Sequence, residues 1–329
     1  NVMTTFVKLF PVDGLEMCFR DNRYFPTGEA IERRHLMTDL VKQIRMMLDS
    51  TSFANGKRRL LSCRVPSTVE ECKNIGLDVG SWVKEGLVDY VSPQDTMYAE
   101  ANIPYDEWRE LTEGTNCRLY PALMNWVSGP SRVRTNAQPI SQDIKRALVT
   151  SMYAQGADGI CLYNHFLIMR WNGGNEGDWT YRGVGAYSPF YPMALHDIHD
   201  LRAPQLALRG RRHYVFDPTL GGSTSFGLER SHTGKIKAQR AVLSRPDGFD
   251  NYIFRLYEDL DDASASCLIF RAFFLTTEDL IHVTINDKPV PARGLRRRND
   301  EIRNELLPLS VLPGATPGST QYDSRPFVT

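Results

Sequence analysis

Up to about residue 200, the chain alternates between short apolar runs and longer stretches whose apolar residues recur at helical spacing. Parallel strands that neighbour each other need a crossover connection, usually a helix. The alternation therefore predicts an α/β fold with a parallel sheet. Five predicted strands follow one another along the chain: Val12–Phe19, Arg59–Val65, Leu87–Val91, Cys117–Met124 and Asp158–Tyr163.

The predicted helices between these strands have recognisable beginnings and ends. Ser67 and Glu70 have the spacing of a capping box, so a helix is expected to begin there. The other helices are expected at Leu36–Leu48, Asp78–Glu85, Pro104–Glu113 and Ser141–Gln155, with a last one capped by Ser188. In the first of them, the apolar stripe expected to face inward is Leu36, Leu40, Val41, Ile44, Met47 and Leu48.

Two architectures are compatible with five strands that alternate with helices. One is an open, doubly wound sheet, and the other is part of a (β/α)8 barrel. No G-x-G-x-x-G or G-x-x-x-x-G-K-[ST] sequence follows any predicted strand, so the usual signature of a nucleotide-binding open sheet is missing. From the residues alone, both architectures stay open.

The pattern changes after about Pro204. The segments YIFRLYEDL, SASCLIFRAFFL and DLIHVTIND alternate apolar and polar residues and are rich in β-branched and aromatic types. Turn sequences separate them, at Arg245–Gly248 and at Asn286-Asp287. Residues 204–329 are therefore predicted to form a second, all-β domain that resembles a sandwich.

The charge balance argues against two classes of partner. Lysine and arginine number 39, aspartate and glutamate also number 39, and the net charge is zero, so no nucleic-acid partner is expected. The basic run Arg296–Arg298 is interpreted as a solvated loop. No apolar run reaches the roughly 18 residues that a membrane-spanning helix needs, so no membrane span is expected.

The six cysteines carry no metal or redox motif. None of them forms a C-x-x-C pair, and no H-E-x-x-H sequence is present, so we expect neither a bound metal nor a cofactor. Four lie in or beside the predicted strands and are expected to be buried, reduced thiols: Cys18, Cys63, Cys117 and Cys161. That usage fits a reducing compartment slightly better than an oxidising one, and the localisation stays open.

A series of segments carries a resemblance to a known family. In chain order they read DGLEMCF, SWVKEGLVDYVSPQDT, RLYPALMN and YAQGADGICLYNHF. Together they resemble the glycoside-hydrolase-like (β/α)8 proteins related to family-10-type glycosidases, over roughly residues 1–200. The resemblance lies in the pattern and order of the segments.

The resemblance implies where the strands lie in a barrel. The strand that contains DGLEMCF looks like the fourth, and the later strands would be the fifth to the eighth. Residues 1–203 would then form the C-terminal part of an incomplete (β/α)8 barrel, and the segment NVMTTFVKLF would end the third helix. The first three βα units would come from a longer protein or from another chain.

Carboxylates near the ends of barrel strands are the candidates for catalysis. Hydrolysis of a glycosidic bond commonly uses two carboxyl groups, and we predict Glu16 as the acid/base and Asp95 as its partner. Alternatively, Glu16 is a structural carboxylate paired with Arg20 or with an arginine on the next strand, such as Arg64. Similar sequences often have aspartate where Cys18 stands, which bears on whether this chain is active.

Polar and aromatic side chains near the strand ends are candidate sugar contacts. Asparagine can hydrogen-bond a sugar hydroxyl, and tryptophan can stack on a pyranose face while its N–H donates a hydrogen bond. A single histidine more often orients neighbouring groups, and loop aromatics also serve packing. The predicted substrate-binding residues are Arg20, Asp21, Tyr24, Arg64, Glu100, Asn125, Trp126, Asn164, His165, Trp171 and Trp179.

The expected function is hydrolysis of glycosidic bonds in a polysaccharide or oligosaccharide by a carboxylate pair. The alternative is a catalytically silent protein that binds carbohydrate or has a structural role on the same scaffold. The sequence contains no G-x-S-x-G elbow, and nothing local pairs serine, histidine and aspartate as in a hydrolase triad.

Overall fold

The computed structural model describes two compact units. They comprise Asn1–Gly129, Ala137–Arg170 and Tyr181–Glu258 in the first unit, and Pro130–Asn136, Trp171–Thr180 and Asp259–Thr329 in the second. The residues described are 2–19, 24–26, 28–51, 56–94, 99–124, 126–128, 137–163, 167–171, 179–183, 198–216, 248–258, 267–268, 270, 276 and 278–291. For residues 126–128, 137–139, 167–171 and 179–183 the description covers the backbone alone.

Twelve strands are present in the described residues. In chain order they are β1 Gly14–Cys18, β2 Leu60–Pro66, β3 Tyr90–Gln94, β4 Arg118–Leu119, β5 Ala122–Leu123, β6 Trp126–Ser128, β7 Ala137–Pro139, β8 Cys161–Leu162, β9 Leu167–Trp171, β10 Trp179–Gly183, β11 Thr284–Ile285 and β12 Lys288–Pro289. Strands β1, β2, β3 and β4 form one parallel sheet in that order, and β5 pairs in parallel with β8. The predicted α/β alternation with a parallel sheet is therefore present.

Helices connect these strands. They are α1 Val2–Leu9, α2 Ala30–Asp49, α3 Val69–Asn74, α4 Val79–Lys84, α5 Tyr105–Thr112 and α6 Gln142–Ala154, followed by a one-turn helix at Pro204–Ala207. The first matches the expected helix in NVMTTFVKLF, and α3 to α6 lie where the sequence predicts them. Helix α2 begins at Ala30, before the predicted Leu36, and the helix at Pro204–Ala207 was not predicted. Residues 198–201 are helical as well, whereas the predicted cap Ser188 lies outside the described residues.

The sheet has one apolar face and one polar face. Leu61, Cys63 and Val65 of β2 are buried in the main hydrophobic core together with residues of the helices. Ser62 and Arg64 alternate with them, and side chains alternate between the two faces of a strand. The helices thus cover the apolar face, and the polar side chains of β2 lie on the other face.

The inward stripe of α2 differs from the predicted one. Its buried apolar residues are Met37, Val41, Ile44 and Leu48, whereas Leu36 and Leu40 are exposed and Met47 is half-buried. A stripe on a helix can rotate by one residue without breaking the apolar spacing. The position of the sheet decides which of two neighbouring stripes is buried.

The capping box of α3 lies one residue later than predicted. Thr68 Oγ1 accepts a hydrogen bond from the Glu71 backbone N–H at 3.0 Å, and Glu71 Oε2 accepts one from the Thr68 N–H at 3.1 Å. Ser67 instead donates its hydroxyl to Glu71 Oε2 at 2.6 Å. Ser67 and Thr68 both precede a glutamate by three residues, so the local spacing alone did not distinguish them.

The fourth predicted strand is interrupted at Pro121. The run Cys117–Met124 forms two short strands, β4 and β5, because proline has no backbone N–H to donate to a neighbouring strand. The Pro121 carbonyl accepts from the Cys161 N–H at 2.9 Å, so the chain passes from pairing with β3 to pairing with β8.

Aspartates at the start of two strands bind the backbone of the preceding strand. Asp89 Oδ2, just before β3, accepts from the Leu61 N–H at 2.7 Å and from Arg45 Nη1 at 3.2 Å. Asp158 Oδ2, before β8, accepts from the Leu119 N–H at 2.9 Å. Each carboxylate stabilises the amino-terminal end of a strand, where a backbone donor would otherwise lack a partner.

Two predictions about the C-terminal region can be checked in the described residues. Asn286 and Asp287 both have positive φ, 49° and 62°, and join β11 to β12 in an antiparallel hairpin, which confirms the predicted turn. Residues 251–257, which cover most of YIFRLYEDL, form no regular strand. The sandwich-like domain and the boundary after residue 203 stay predictions.

Loss of Asp89 should destabilise the sheet. Replacing Asp89 with alanine removes the acceptor of the Leu61 N–H and one partner of the buried Arg45. We expect the free energy of unfolding to fall by about 2–3 kcal/mol in urea denaturation followed by circular dichroism. The matched control is Asp13→Ala before β1, whose exposed side chain pairs only with the exposed Lys57, and it should cost less than about 1 kcal/mol. Equal losses in both variants would contradict this role of Asp89.

Candidate functional site

The polar face of the sheet brings side chains of three strands together. In the parallel register, Glu16 pairs with Ser62, Cys18 pairs with Arg64, and Arg64 pairs with Ser92. Paired residues of neighbouring parallel strands project their side chains to the same face. Glu16 and Arg64 therefore lie on one face, at the centre of β1 and in the carboxyl-terminal half of β2, and form the centre of the candidate site.

An ion pair joins these two residues. Arg64 Nη2 lies 2.8 Å from Glu16 Oε1, and the Arg64 side chain is only 10% exposed whereas that of Glu16 is 39% exposed. Opposite charges at this distance attract each other more strongly when one of them is largely removed from water. The guanidinium is thus a buried cation whose charge is balanced by a carboxylate that reaches solvent.

Cys161 of β8 and Tyr163, which follows β8, contact the guanidinium from another side. Arg64 Nη2 also donates to Cys161 Sγ at 3.3 Å, and Arg64 Cζ lies 4.9 Å from the ring centroid of Tyr163. A guanidinium over an aromatic ring is attracted to the negative face of the ring. These contacts fix the plane of the guanidinium, and through it the position of the Glu16 carboxylate.

The exposure of Glu16 explains how a carboxylate can lie within an apolar run. Leu15 and Met17 pack against the hydrophobic core, and Glu16, between them, faces the opposite side of the strand. The pairing with Arg64 confirms one of the two partners expected for Glu16 as a structural carboxylate. The other expected partner, Arg20, lies outside the described residues.

The cysteines of the site are free thiols. Burial raises the pKa of Cys161, although the positive charge of Arg64 opposes that rise. Burial also raises the pKa of Cys63 well above its usual value and that of Cys117 to about 12. Cys63 and Cys117 are buried as predicted, Cys161 is half-buried, and Cys18 is exposed, so the prediction for Cys18 was wrong. Cys18 is the last residue of β1, an edge strand of the sheet, whereas Arg64, in register with it on the next strand, is buried.

Glu100 lies away from solvent. Its side chain is buried, and Oε1 accepts a hydrogen bond from the Asn102 N–H at 2.7 Å. It also lines a small, mostly apolar cavity together with Leu123, Met124 and other core residues. A buried carboxylate that binds a neighbouring backbone N–H has a structural role, and this arrangement favours that role for Glu100 over contact with a substrate.

Tyr24 is half-buried and packs edge-on against Phe19, with ring centroids 5.8 Å apart. Phe19 in turn contacts Trp82 of α4, at 5.4 Å between centroids. Tyr24 is thus anchored to the core just after the predicted first strand, and its packing explains its position without a ligand.

The remaining predicted site residues have no described side chain. Those outside the described residues are Arg20, Asp21, Asp95, Asn125, Asn164 and His165. Three others are described by their backbone alone: Trp126 begins β6, Trp171 ends β9 and Trp179 begins β10. The distance between Glu16 and its predicted catalytic partner Asp95 therefore stays untested.

Three residues around Arg64 were missed at the sequence level. Cys161 and Tyr163 lie in the last predicted strand, and Ser92 follows the third. Their signal was their place near the carboxyl ends of strands, where the active-site residues of parallel α/β folds gather. Serine, cysteine and tyrosine within strands are also common in hydrophobic cores, so their residue types gave no further signal.

Comparisons with known proteins leave the chain without an assigned relative. No model of a known protein family matches it, and no curated protein is significantly similar to it. In the described ranges, no helix combines the length and apolar character that crossing a bilayer requires. The same ranges contain no group of three or more histidine, cysteine, aspartate or glutamate side chains placed to hold a metal ion.

The ion pair should show measurable coupling. A double-mutant cycle with Glu16→Ala and Arg64→Met should give a coupling energy of about 1–2 kcal/mol, because the guanidinium is buried and loses its counter-charge in the first variant. Thermal or urea unfolding of the four proteins measures this energy. The matched control is the exposed pair Lys57–Asp13, 3.3 Å apart, whose coupling should be close to zero. No coupling between Glu16 and Arg64 would show that the pair does not form in solution.

Proposed function

We propose that the protein hydrolyses glycosidic bonds of a polysaccharide or oligosaccharide, with Glu16 as one member of a carboxylate pair. The observation that carries this proposal is the half-exposed carboxylate of Glu16, held at 2.8 Å by the buried Arg64 on the polar face of a parallel sheet. Active-site residues of parallel α/β folds gather at the carboxyl end of the sheet, and Arg64 lies in the carboxyl-terminal half of β2, whereas Glu16 lies at the centre of β1.

Asp95 is the proposed partner of Glu16. In the chain it directly follows Gln94, the last residue of β3, a strand of the same parallel sheet. In the proposed reaction, one carboxyl group protonates the leaving oxygen, and the other acts on the anomeric carbon directly or through a water molecule. This chemistry needs no cofactor and no metal.

We propose that β1, β2, β3, the interrupted strand β4–β5 and β8 are strands four to eight of a (β/α)8 barrel. Their support is the order of the sheet, which follows the chain from β1 to β4 without the reversal of a doubly wound fold. Right-handed crossovers between strands in this order place all helices on one face. The other face carries Glu16, Ser62 and Arg64, and a closed barrel would enclose it.

In this proposal, a preceding segment or another chain supplies the first three βα units, and residues 204–329 form the sandwich-like domain. The proposed partner is carbohydrate, with no nucleic acid. The aromatic and polar side chains proposed to contact it are Arg20, Asp21, Tyr24, Arg64, Glu100, Asn125, Trp126, Asn164, His165, Trp171 and Trp179. Among them, the burial of Glu100 gives that residue the weakest support.

A carbohydrate-binding protein without catalysis is the second candidate. The observation that favours it is the exposed thiol of Cys18, which lies in register with Arg64 at the position where similar sequences often have aspartate. If that aspartate takes part in catalysis in those proteins, its replacement by a neutral thiol would leave a site that binds sugar and does not cleave it.

The first experiment assays purified protein on a panel of aryl glycosides and polysaccharides. We expect Glu16→Gln to lower kcat/KM by about 100-fold or more, because the amide keeps the shape of the side chain and removes its charge. The matched control is Glu110→Gln, which changes an exposed glutamate on α5 and should leave activity unaltered.

The possible results separate the two candidates. Full activity of Glu16→Gln would remove Glu16 from the mechanism. An inactive wild-type protein that binds an oligosaccharide in calorimetry would favour the binding protein. If the wild-type protein neither cleaves nor binds any member of the panel, both candidates are contradicted.

A further inference from the structure

The two carboxyl groups of a glycoside hydrolase start the reaction in opposite states. One must carry a proton for the leaving oxygen, and the other must be ionised, to attack the anomeric carbon or to take a proton from water. The sequence predicted Glu16 only as an acid/base. The surroundings of its carboxylate distinguish the two roles.

We infer that Glu16 is the ionised member of the pair and that Arg64 is the positioning residue that keeps it so. This inference rests on the proposed glycosidase function. Its basis is the ion pair in which the buried guanidinium lies 2.8 Å from Glu16 Oε1. Arginine stays protonated in proteins, so protonation of Glu16 would leave a buried cation without its counter-charge.

The environment of a typical proton donor differs from that of Glu16. A carboxyl group that stays protonated at neutral pH usually lies in an apolar pocket. The apolar neighbours Leu15 and Met17 face the opposite side of β1, and the Glu16 side chain is exposed to water by 39%. Glu16 thus lies beside water and a guanidinium, an environment unlike that of a typical proton donor.

The other titratable groups that feel the charge of Glu16 are neutral. Burial, aided by the negative charge of Glu16, raises the pKa of the Cys63 thiol, of the Cys161 thiol and of the Tyr90 hydroxyl. These three groups therefore stay protonated at neutral pH and do not compete with Glu16 for Arg64. The Glu16 carboxylate is left as the counter-ion of that guanidinium.

The geometry also leaves one oxygen of Glu16 for chemistry. Oε1 faces Arg64, and within the described part of the chain no hydrogen bond or ion pair involves Oε2. Arg64 itself is fixed by Cys161 Sγ at 3.3 Å and by the Tyr163 ring at 4.9 Å. The contacts that fix Arg64 thereby orient the Glu16 carboxylate, as a nucleophile or base requires.

The proposed step breaks one bond to the anomeric carbon and forms another. As a nucleophile, Glu16 forms a bond from a carboxylate oxygen to the anomeric carbon while the glycosidic C–O bond breaks. As a base, it takes a proton from the water whose oxygen forms that bond. In both cases the electron pair of the broken bond goes to the leaving oxygen, which takes its proton from the partner acid, proposed as Asp95.

The test compares two leaving groups on Glu16→Ala. A 2,4-dinitrophenol leaving group departs without a proton, whereas the alcohol leaving group of an oligosaccharide needs one. Both substrates are made from the sugar that the wild type hydrolyses best. On both, we expect kcat/KM to fall by about 1000-fold or more. Added azide or formate should restore part of the activity on the dinitrophenyl glycoside, because a small anion can occupy the space of the missing carboxylate.

Near-wild-type cleavage of the dinitrophenyl glycoside, with loss on the oligosaccharide alone, would overturn the inference and make Glu16 the proton donor. That result would leave the proposed hydrolase function standing. A wild type inactive on both substrates would instead contradict the proposed function and, with it, this inference.

The role of Arg64 is tested by substitution with methionine and with lysine. Arg64→Met should lower kcat about 10- to 100-fold with little change in KM, and Arg64→Lys should recover part of it because it keeps the charge. The matched control is Arg118→Met on β4, whose side chain is 65% exposed, and it should keep wild-type kcat. A raised KM with unchanged kcat in Arg64→Met would show that Arg64 acts in substrate binding alone and does not position Glu16. If the methionine variant folds poorly, the lysine variant, which retains the charge, serves as the test. A fully active lysine variant with the melting temperature of the wild type would also support the charge-based role.

Discussion

The parallel pairing of β1 with β2 is the interaction on which the candidate site depends. It places Glu16 beside Ser62 and Cys18 beside Arg64, and it turns all four side chains to the same face. A shift of one residue in this register would turn the carboxylate towards the core, where an unpaired charge costs several kcal/mol. The apolar neighbours of Glu16 and Arg64, which pack against the helices, hold the register in place.

The ion pair has a limited desolvation cost because only one of its two members is buried. A fully buried pair loses the hydration of both ions, whereas here only the guanidinium is removed from water and the carboxylate reaches solvent. The Tyr163 ring and Cys161 Sγ contribute further contacts to the buried cation. The result is a carboxylate that is both rigid and accessible, a combination that binding and catalysis both use.

Several local features could be predicted from the sequence because they depend on neighbours in the chain. The helix Ser141–Gln155 has a serine cap and an apolar stripe, and Ser141 Oγ accepts the Ile144 N–H in the structure. The turn at Asn286-Asp287 requires positive φ, which asparagine and aspartate tolerate. In contrast, the choice between Thr68 and Ser67 as the cap, and between two neighbouring stripes of α2, depended on the elements that pack against them.

The sequence by itself determined that strands and helices alternate, that the strands pair in parallel, and that Glu16 lies within the first of them, since residue periodicity and connection length govern these properties. It also offered structural partners for Glu16, either Arg20 or an arginine on the next strand such as Arg64. Only the tertiary structure shows that Arg64 pairs with Glu16. Its other contacts, Cys161 and Tyr163, are almost 100 positions away in the chain, and the order of the strands brings them to Arg64. Contacts between residues so distant in sequence depend on how the sheet is assembled, and no local pattern encodes them.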